Sequence, residues 1–160
     1  MIDGLTLIPD FITEAEEKLL LQGADLGTWK NRPHGDKREQ LFYTPDYRRG
    51  SAGIPPYTKP FSDRTGFGDP YRLIVSDYKA GQSMVAHFDV REKWDIVGGV
   101  VSLLSDSEWV FSKGAIKVPV KVPPRSLLVF RGPARYEWQH EVRGIHDRRV
   151  SFYFSFKEKE

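Results

Sequence analysis

The 160-residue chain has no cysteine. That excludes disulfides, thiolate metal sites and cysteine nucleophiles. Histidine is scarce too, at four residues, so a transition metal here must be held by imidazole and carboxylate. There is no apolar run of about 20 residues, so no membrane-spanning helix and no membrane partner are expected. The opening Met1-Ile2-Asp3-Gly4 lacks the basic and apolar regions of a secretory signal, and a cytoplasmic monomer is expected. Internal repeats and low-complexity tracts are also missing. Charge of one sign does not dominate: 24 Lys+Arg against 22 Asp+Glu leave +2, which selects no partner class.

With 39% apolar and 13% aromatic residues, a chain of this length makes one globular domain over 1–160; two cores would each be too small to stand without staples. Its charge is uneven along the chain. Residues 1–29 carry −5, residues 30–72 carry +4 and residues 73–160 carry +3. The middle stretch is basic with aromatics interleaved.

Leu5–Ile8 reads as a short strand closed by Pro9-Asp10. Thr13 followed by Glu16 forms a capping box that starts a helix running to about Leu21, with Gly23 near its end. From Lys30 to Pro70 prolines and glycines interrupt every candidate element, which points to a lid or binding loop. A short strand is expected near Gln40–Thr44 and a mobile connection over Arg48–Ser62. From Tyr71 onward about six further strands alternate with Gly, Pro and Asp clusters, ending in Arg149–Phe156. One helix followed by many short strands argues for a β-sandwich or jelly roll covered by helix on one side.

His87-Phe88-Asp89 is the sharpest local feature. On extended backbone, positions i and i+2 face the same way, so the imidazole and the carboxylate aim at one point. One more imidazole would complete a two-His-one-carboxylate triad with open positions, and His140 and His146 are the available third ligands. Chance supplies about 0.3 such His-x-Asp pairs in a chain of this composition, so the spacing alone is weak. The last strand adds to it. Arg149, Ser151, Tyr153, Ser155 and Lys157 share one face, and Val150, Phe152, Phe154 and Phe156 the other. The polar face suits either water or an interior site for an anion, since a guanidinium matches a carboxylate bidentately. Arg72, Ile74, Ser76 and Tyr78 are in phase on an earlier strand.

Together these segments resemble the AlkB family of Fe(II)/2-oxoglutarate dioxygenases. Tyr78-Lys-Ala-Gly81 with His87-x-Asp89 looks like the family's metal-binding strand pair. Gly132-x-Ala134-Arg135-Tyr136-x-Trp138-x-His140 resembles the segment with the distal histidine, and Arg149-x-Ser151-x-Tyr153-Phe154 resembles the closing Arg-x-Asn/Ser-x-Thr-Phe strand. The resemblance runs in order from about Arg72 to the C-terminus. It implies a mainly β (α+β) fold, a double-stranded β-helix (jelly roll) with a short N-terminal helical cover. Residues 1–71 would be cover and substrate lid, and 72–160 the catalytic core.

It also implies roles. His87, Asp89 and His140 would hold Fe(II) and be the catalytic centre, leaving His146 a bystander. Tyr78, Arg149 and Ser151 would bind 2-oxoglutarate, with O2 as co-substrate. Ser155 and Ser76 stand where the family often has a second Arg and an Asn, and are expected at the same cofactor. Arg131, Arg135 or Lys157 are the cations left to compensate. The family places a lid over its target nucleotide. Here Arg38, Phe42, Tyr43, Tyr47, Arg48 and Arg49 have the chemistry to neutralise phosphates and stack on an unpaired base, and Arg135 is a further candidate substrate contact. The expected activity is oxidative demethylation of alkylated DNA or RNA bases, as in DNA repair. The alternatives are the same chemistry on a protein side chain or small molecule, an inactive nucleic-acid-binding module, or a cupin-like metal protein without a keto acid.

Overall fold

The structure is a computed structural model that describes residues 2–27, 30–31, 39–43 and 53–159. β1 (Leu5–Ile8) leads to α1 (Glu14–Asp25), then β2 (Lys30–Asn31) and β3 (Glu39–Tyr43). A 3-10 turn, Pro56–Thr58, runs into α2 (Lys59–Arg64). The rest is mostly strand: β4 (Arg72–Tyr78), β5 (Met84–His87), β6 (Ile96–Leu103), β7 (Ser107–Lys113), β8 (Ile116–Val122) and β9 (Leu127–Phe130). A single turn, α3 (Pro133–Tyr136), separates these from β10 (Gln139–Arg143) and β11 (Arg149–Lys157).

The strands form two antiparallel sheets. Seven strands lie in the order β1-β9-β6-β11-β4-β3-β2, and four in the order β5-β10-β7-β8. One core lies between the large sheet and the helices, where Phe152, Phe154 and Phe156 meet Ile12, Leu20 and Phe61. The second lies between the sheets, with Tyr78, Val100 and Phe130 against Trp109, Phe111 and Val142. The large sheet is therefore covered on both faces, and every residue of β6 is buried. The mainly β jelly roll with a helical cover is the observed architecture.

Two expectations change. α1 starts on the predicted capping box, with Glu16 N–H donating to Thr13 Oγ1 at 3.2 Å and Thr13 N–H to Glu16 Oε1 at 3.0 Å. It continues a turn past Leu21, because Gly23 does not stop it. A Cβ at Gly23 would lie 2.4 Å from the Tyr57 ring, so the glycine makes room for that aromatic under the helix. The connection expected over Arg48–Ser62 becomes helical from Pro56, where Thr58 Oγ1 donates to the Pro55 carbonyl and Phe61 enters the core. Within residues 1–71, β1, β2 and β3 are strands of the large sheet. Among the described residues no helix is long and apolar enough to cross a membrane.

Candidate metal centre and cofactor cavity

β5 and β10 pair antiparallel with His87 directly opposite His140. Asp89 follows β5 by two residues, so all three side chains point between the sheets. Asp89 Oδ1 lies 3.4 Å from His87 Nε2 and 3.4 Å from His140 Nε2. One ligand atom from each of the three falls within 4.8 Å of the others. His146 is exposed on the loop before β11 and stands apart from this cluster.

The two imidazoles are held differently. His87 Nδ1 lies 2.7 Å from the Val85 carbonyl, which can only accept; this fixes the proton on Nδ1 and leaves the Nε2 lone pair for a metal. His140 is 1% exposed and lies parallel to the Trp109 ring at 5.4 Å. Asp89 presents its second oxygen to other partners. Arg135 Nη1 donates to Oδ2 at 2.9 Å, and the Tyr153 hydroxyl donates to it at 2.6 Å. Burial by itself pushes the Asp89 carboxyl up. The adjacent His140 and His87 rings and the Arg135 charge outweigh that and hold it well below the usual carboxylate range. Burial pushes the Tyr153 hydroxyl up, so it stays protonated and can donate.

The triad opens onto a cavity of about 350 Å³ between β4 and β11 on one side and β7 and β10 on the other. Tyr78, Ser76, Ser151 and Ser155 line it, as expected from their phase, together with Arg72 and Tyr153. Strand register puts Ser151 opposite Ser76 and Ser155 opposite Arg72. Arg149, opposite Tyr78, is fully buried and is not one of the lining residues. Its Nη2 donates to Ser102 Oγ at 2.9 Å, and its guanidinium lies 5.2 Å from the Tyr78 ring centre. Tyr78 thus stands at the wall with the arginine charge close by.

The donor set fits Fe(II): two imidazoles and one carboxylate, with no sulfur, at the wall of a cavity that leaves other positions open. The hydroxyls of Tyr78, Ser76, Ser151 and Ser155, with a guanidinium at Arg72 and another behind Tyr78, suit a dicarboxylate such as 2-oxoglutarate.

The expected substrate contacts separate. Arg38, Tyr47, Arg48 and Arg49 lie outside the described residues, as does the side chain of Phe42, whose backbone pairs with Ile74 of the cavity wall. Tyr43 packs against the helix-side core instead, because its register partner Leu73 faces that way. Arg135 is 1% exposed and bonds Asp89, so it sits under the metal ligand rather than at a substrate surface. Of the other two compensating cations, Arg131 pairs with Glu158, and Lys157 sits 3.9 Å from the Trp94 ring centre. The Tyr153–Asp89 contact was not anticipated. Tyr153 was visible on the polar face of β11, but its partner lies 64 residues away. Phe88 and Val90, 51% and 75% exposed, flank Asp89 at the cavity wall and were also missed as site residues.

No family model matches the chain. Its relatives are consistent in kind. Uncharacterized protein L905 of Acanthamoeba polyphaga mimivirus is 28% identical, with 88% of this chain and 73% of the viral protein covered. The Alkylated DNA repair protein ALKBH8 homolog of Arabidopsis thaliana is 26% identical over 88% of this chain, which spans about half (51%) of that protein. The mouse Alpha-ketoglutarate-dependent dioxygenase alkB homolog 4 is 26% identical over 92% of this chain and 65% of its own length. The structure of OsALKBH1 superposes with a TM-score of 0.77 at 13% identity, covering 96% of this chain and 98% of that one. Relatives, fold and triad point the same way: the chain is similar to the AlkB-like 2-oxoglutarate oxygenases, and its donor set fits the Fe(II) and 2-oxoglutarate that such enzymes use.

Proposed function

We propose that the chain is an Fe(II)/2-oxoglutarate-dependent dioxygenase that oxidatively dealkylates a nucleic-acid base. The observation that carries this reading is the His87–Asp89–His140 cluster on the wall of a cavity lined by hydroxyls. When bound, Fe(II) and 2-oxoglutarate supply the oxidising chemistry, with O2 as co-substrate.

The chain's own residues bind, orient and exclude water. His87, Asp89 and His140 would hold the metal. The Val85 carbonyl keeps His87 in the ligating tautomer. Tyr78, Ser76, Ser151 and Ser155 would donate to the cofactor's carboxylates, with Arg149 adding charge from behind Tyr78. The two sheets shield His140 and Asp89 from water, while His87 stays partly exposed. Support for a nucleobase comes from the basic, aromatic stretch with Arg38, Phe42, Tyr47, Arg48 and Arg49, from the exposed Phe88 ring beside the triad, and from the similarity to the Arabidopsis alkylated DNA repair protein homolog. A base has a π face for an aromatic platform, and its phosphates attract arginine.

An anaerobic titration with Fe(II) and 2-oxoglutarate tests the cofactor half. A weak visible charge-transfer band is expected, lost in His87→Ala; no band in the wild type at saturating ligand overturns it. The substrate half is tested by formaldehyde release from an N-methylated single-stranded oligonucleotide, expected to match succinate formed. Succinate without formaldehyde from any methylated oligonucleotide would favour a protein or small-molecule substrate.

A further inference from the structure

We propose that Arg135 and Tyr153 form a clamp on Asp89 that fixes it as a one-oxygen metal ligand. This rests on the reading of His87, Asp89 and His140 as the metal triad.

The geometry divides the carboxylate in two. Oδ1 lies equally far, 3.4 Å, from both imidazole Nε2 atoms, and so faces the metal position. Oδ2 turns away and takes both clamp donors, the Arg135 guanidinium at 2.9 Å and the Tyr153 hydroxyl at 2.6 Å. The clamp is also closed on itself: Arg135 Nη1 reaches the Tyr153 oxygen at 2.5 Å. A carboxylate with one oxygen engaged this way cannot swing round to chelate, so the remaining metal positions stay open for cofactor and O2.

Burial makes the arrangement specific. Arg135 is 1% exposed, and an arginine so buried requires a counter-charge. Asp89 is its ion-pair partner. The guanidinium also lies 5.7 Å from the ring centres of Phe130 and Tyr136, which restricts its swing. Gly132, at φ 53°, makes the sharp turn that starts α3 and brings Arg135 inward. Tyr153 is seated by Phe130 edge-on at 5.6 Å, and the missing Cβ of Gly98 leaves room for its hydroxyl, which would be 3.0 Å from that atom.

The sequence departures then make a pair. The strand reads Arg149-x-Ser151-x-Tyr153-Phe154-Ser155, with tyrosine where the resemblance expects threonine and serine where it expects arginine. A threonine would be too short to span from β11 to Asp89. The phenol spans it, and the guanidinium reaches the same oxygen from α3.

The test is Co(II) binding to the purified full chain, read by the d–d spectrum and by the dissociation constant, without 2-oxoglutarate. Tyr153→Phe keeps the ring and removes one clamp bond; Arg135→Lys keeps a charge and loses the Nη1 donor shared by Asp89 and Tyr153. Each is expected to weaken Co(II) binding about 10-fold or more and to change the d–d band shape as Asp89 gains freedom. A purely structural role would instead lower the metal-free melting temperature while leaving affinity and spectrum alone. Wild-type affinity and spectrum in both variants overturns the clamp. Should Arg135→Lys not fold, Tyr153→Phe carries the comparison alone. A wild type that binds Co(II) but forms no succinate from 2-oxoglutarate sinks the proposed function and leaves the clamp measurable. A wild type that binds no Co(II) overturns both.

Discussion

His140 stands directly across an antiparallel strand pair from His87, their ring centres 4.5 Å apart although 53 positions separate them in the chain. The pairing register of β5 and β10 therefore builds the metal site. It also means that the site depends on one edge of the small sheet, where the register shifts just after His140. A metal bridging both strands should tie that edge together. Co(II) or Mn(II) is expected to raise the melting temperature of the wild type in a concentration-dependent way, as mass action requires. His87→Ala and His140→Ala should lose that rise; a rise retained in both variants would place the metal elsewhere.

Arg149 offers a second test, because it lies behind the cavity wall rather than on it. Arg149→Met keeps the side chain's length and removes its charge. 2-Oxoglutarate binding to the Co(II)-loaded protein is expected to fall at least about 10-fold, the loss typical of a charge-assisted partner, while Co(II) affinity stays near wild type. Isothermal titration separates the two. Equal losses in both would mean that Arg149 only supports the fold through Ser102.

The helical cover is tied to the barrel by Glu17, which is 8% exposed. Its Oε2 accepts from the Leu104 backbone N–H at 2.9 Å, and its Oε1 from Arg125 Nη1 at 3.3 Å. Both partners have left-handed backbones, with φ 77° at Leu104 and 65° at Arg125, so one carboxylate secures two strained turns. Glu17→Ala leaves a part-buried N–H and a guanidinium without their acceptor and is expected to cost about 1–2 kcal/mol in chemical denaturation. Leu104→Gly in that background should recover about 1 kcal/mol, since glycine adopts that φ without strain.

Glu16 supplies a pH dependence. The Arg64 hydrogen bonds, joined by the Thr13 backbone N–H, lower its carboxyl from 4.5 to about 2. A depressed folded-state pKa means that the stabilisation is present above the ordinary value and disappears as pH falls from about 4.5 toward 2. The melting-temperature gap between wild type and Glu16→Gln should be open at pH 7 and close across that window. A gap unchanged at pH 2 would assign the difference to something other than ionisation.

Much of the site was legible because strand period is a local rule. The His87-x-Asp89 spacing and the two faces of β11 follow from side-chain alternation, and the structure places Ser151, Tyr153 and Ser155 at the cavity with the phenylalanines opposite. Aromatic chemistry alone misplaced Tyr43, because which face of β3 meets the cavity depends on its pairing with β4. Gly23 misled for a related reason: what a glycine is for depends on the Tyr57 ring packed against it.

The sequence by itself determined the ligand chemistry. Without cysteine, only imidazole and carboxylate remained, and local spacing put two of the ligands together. It also determined the capping box and the polar and apolar faces, since each depends on neighbours within a few residues. Tertiary structure alone decided that His140 sits opposite His87, that Arg135 turns inward beneath Asp89, and that Arg149 lies behind Tyr78. These are contacts between distant segments. They are set by strand register and by the need to pair a buried charge, and no local pattern encodes either.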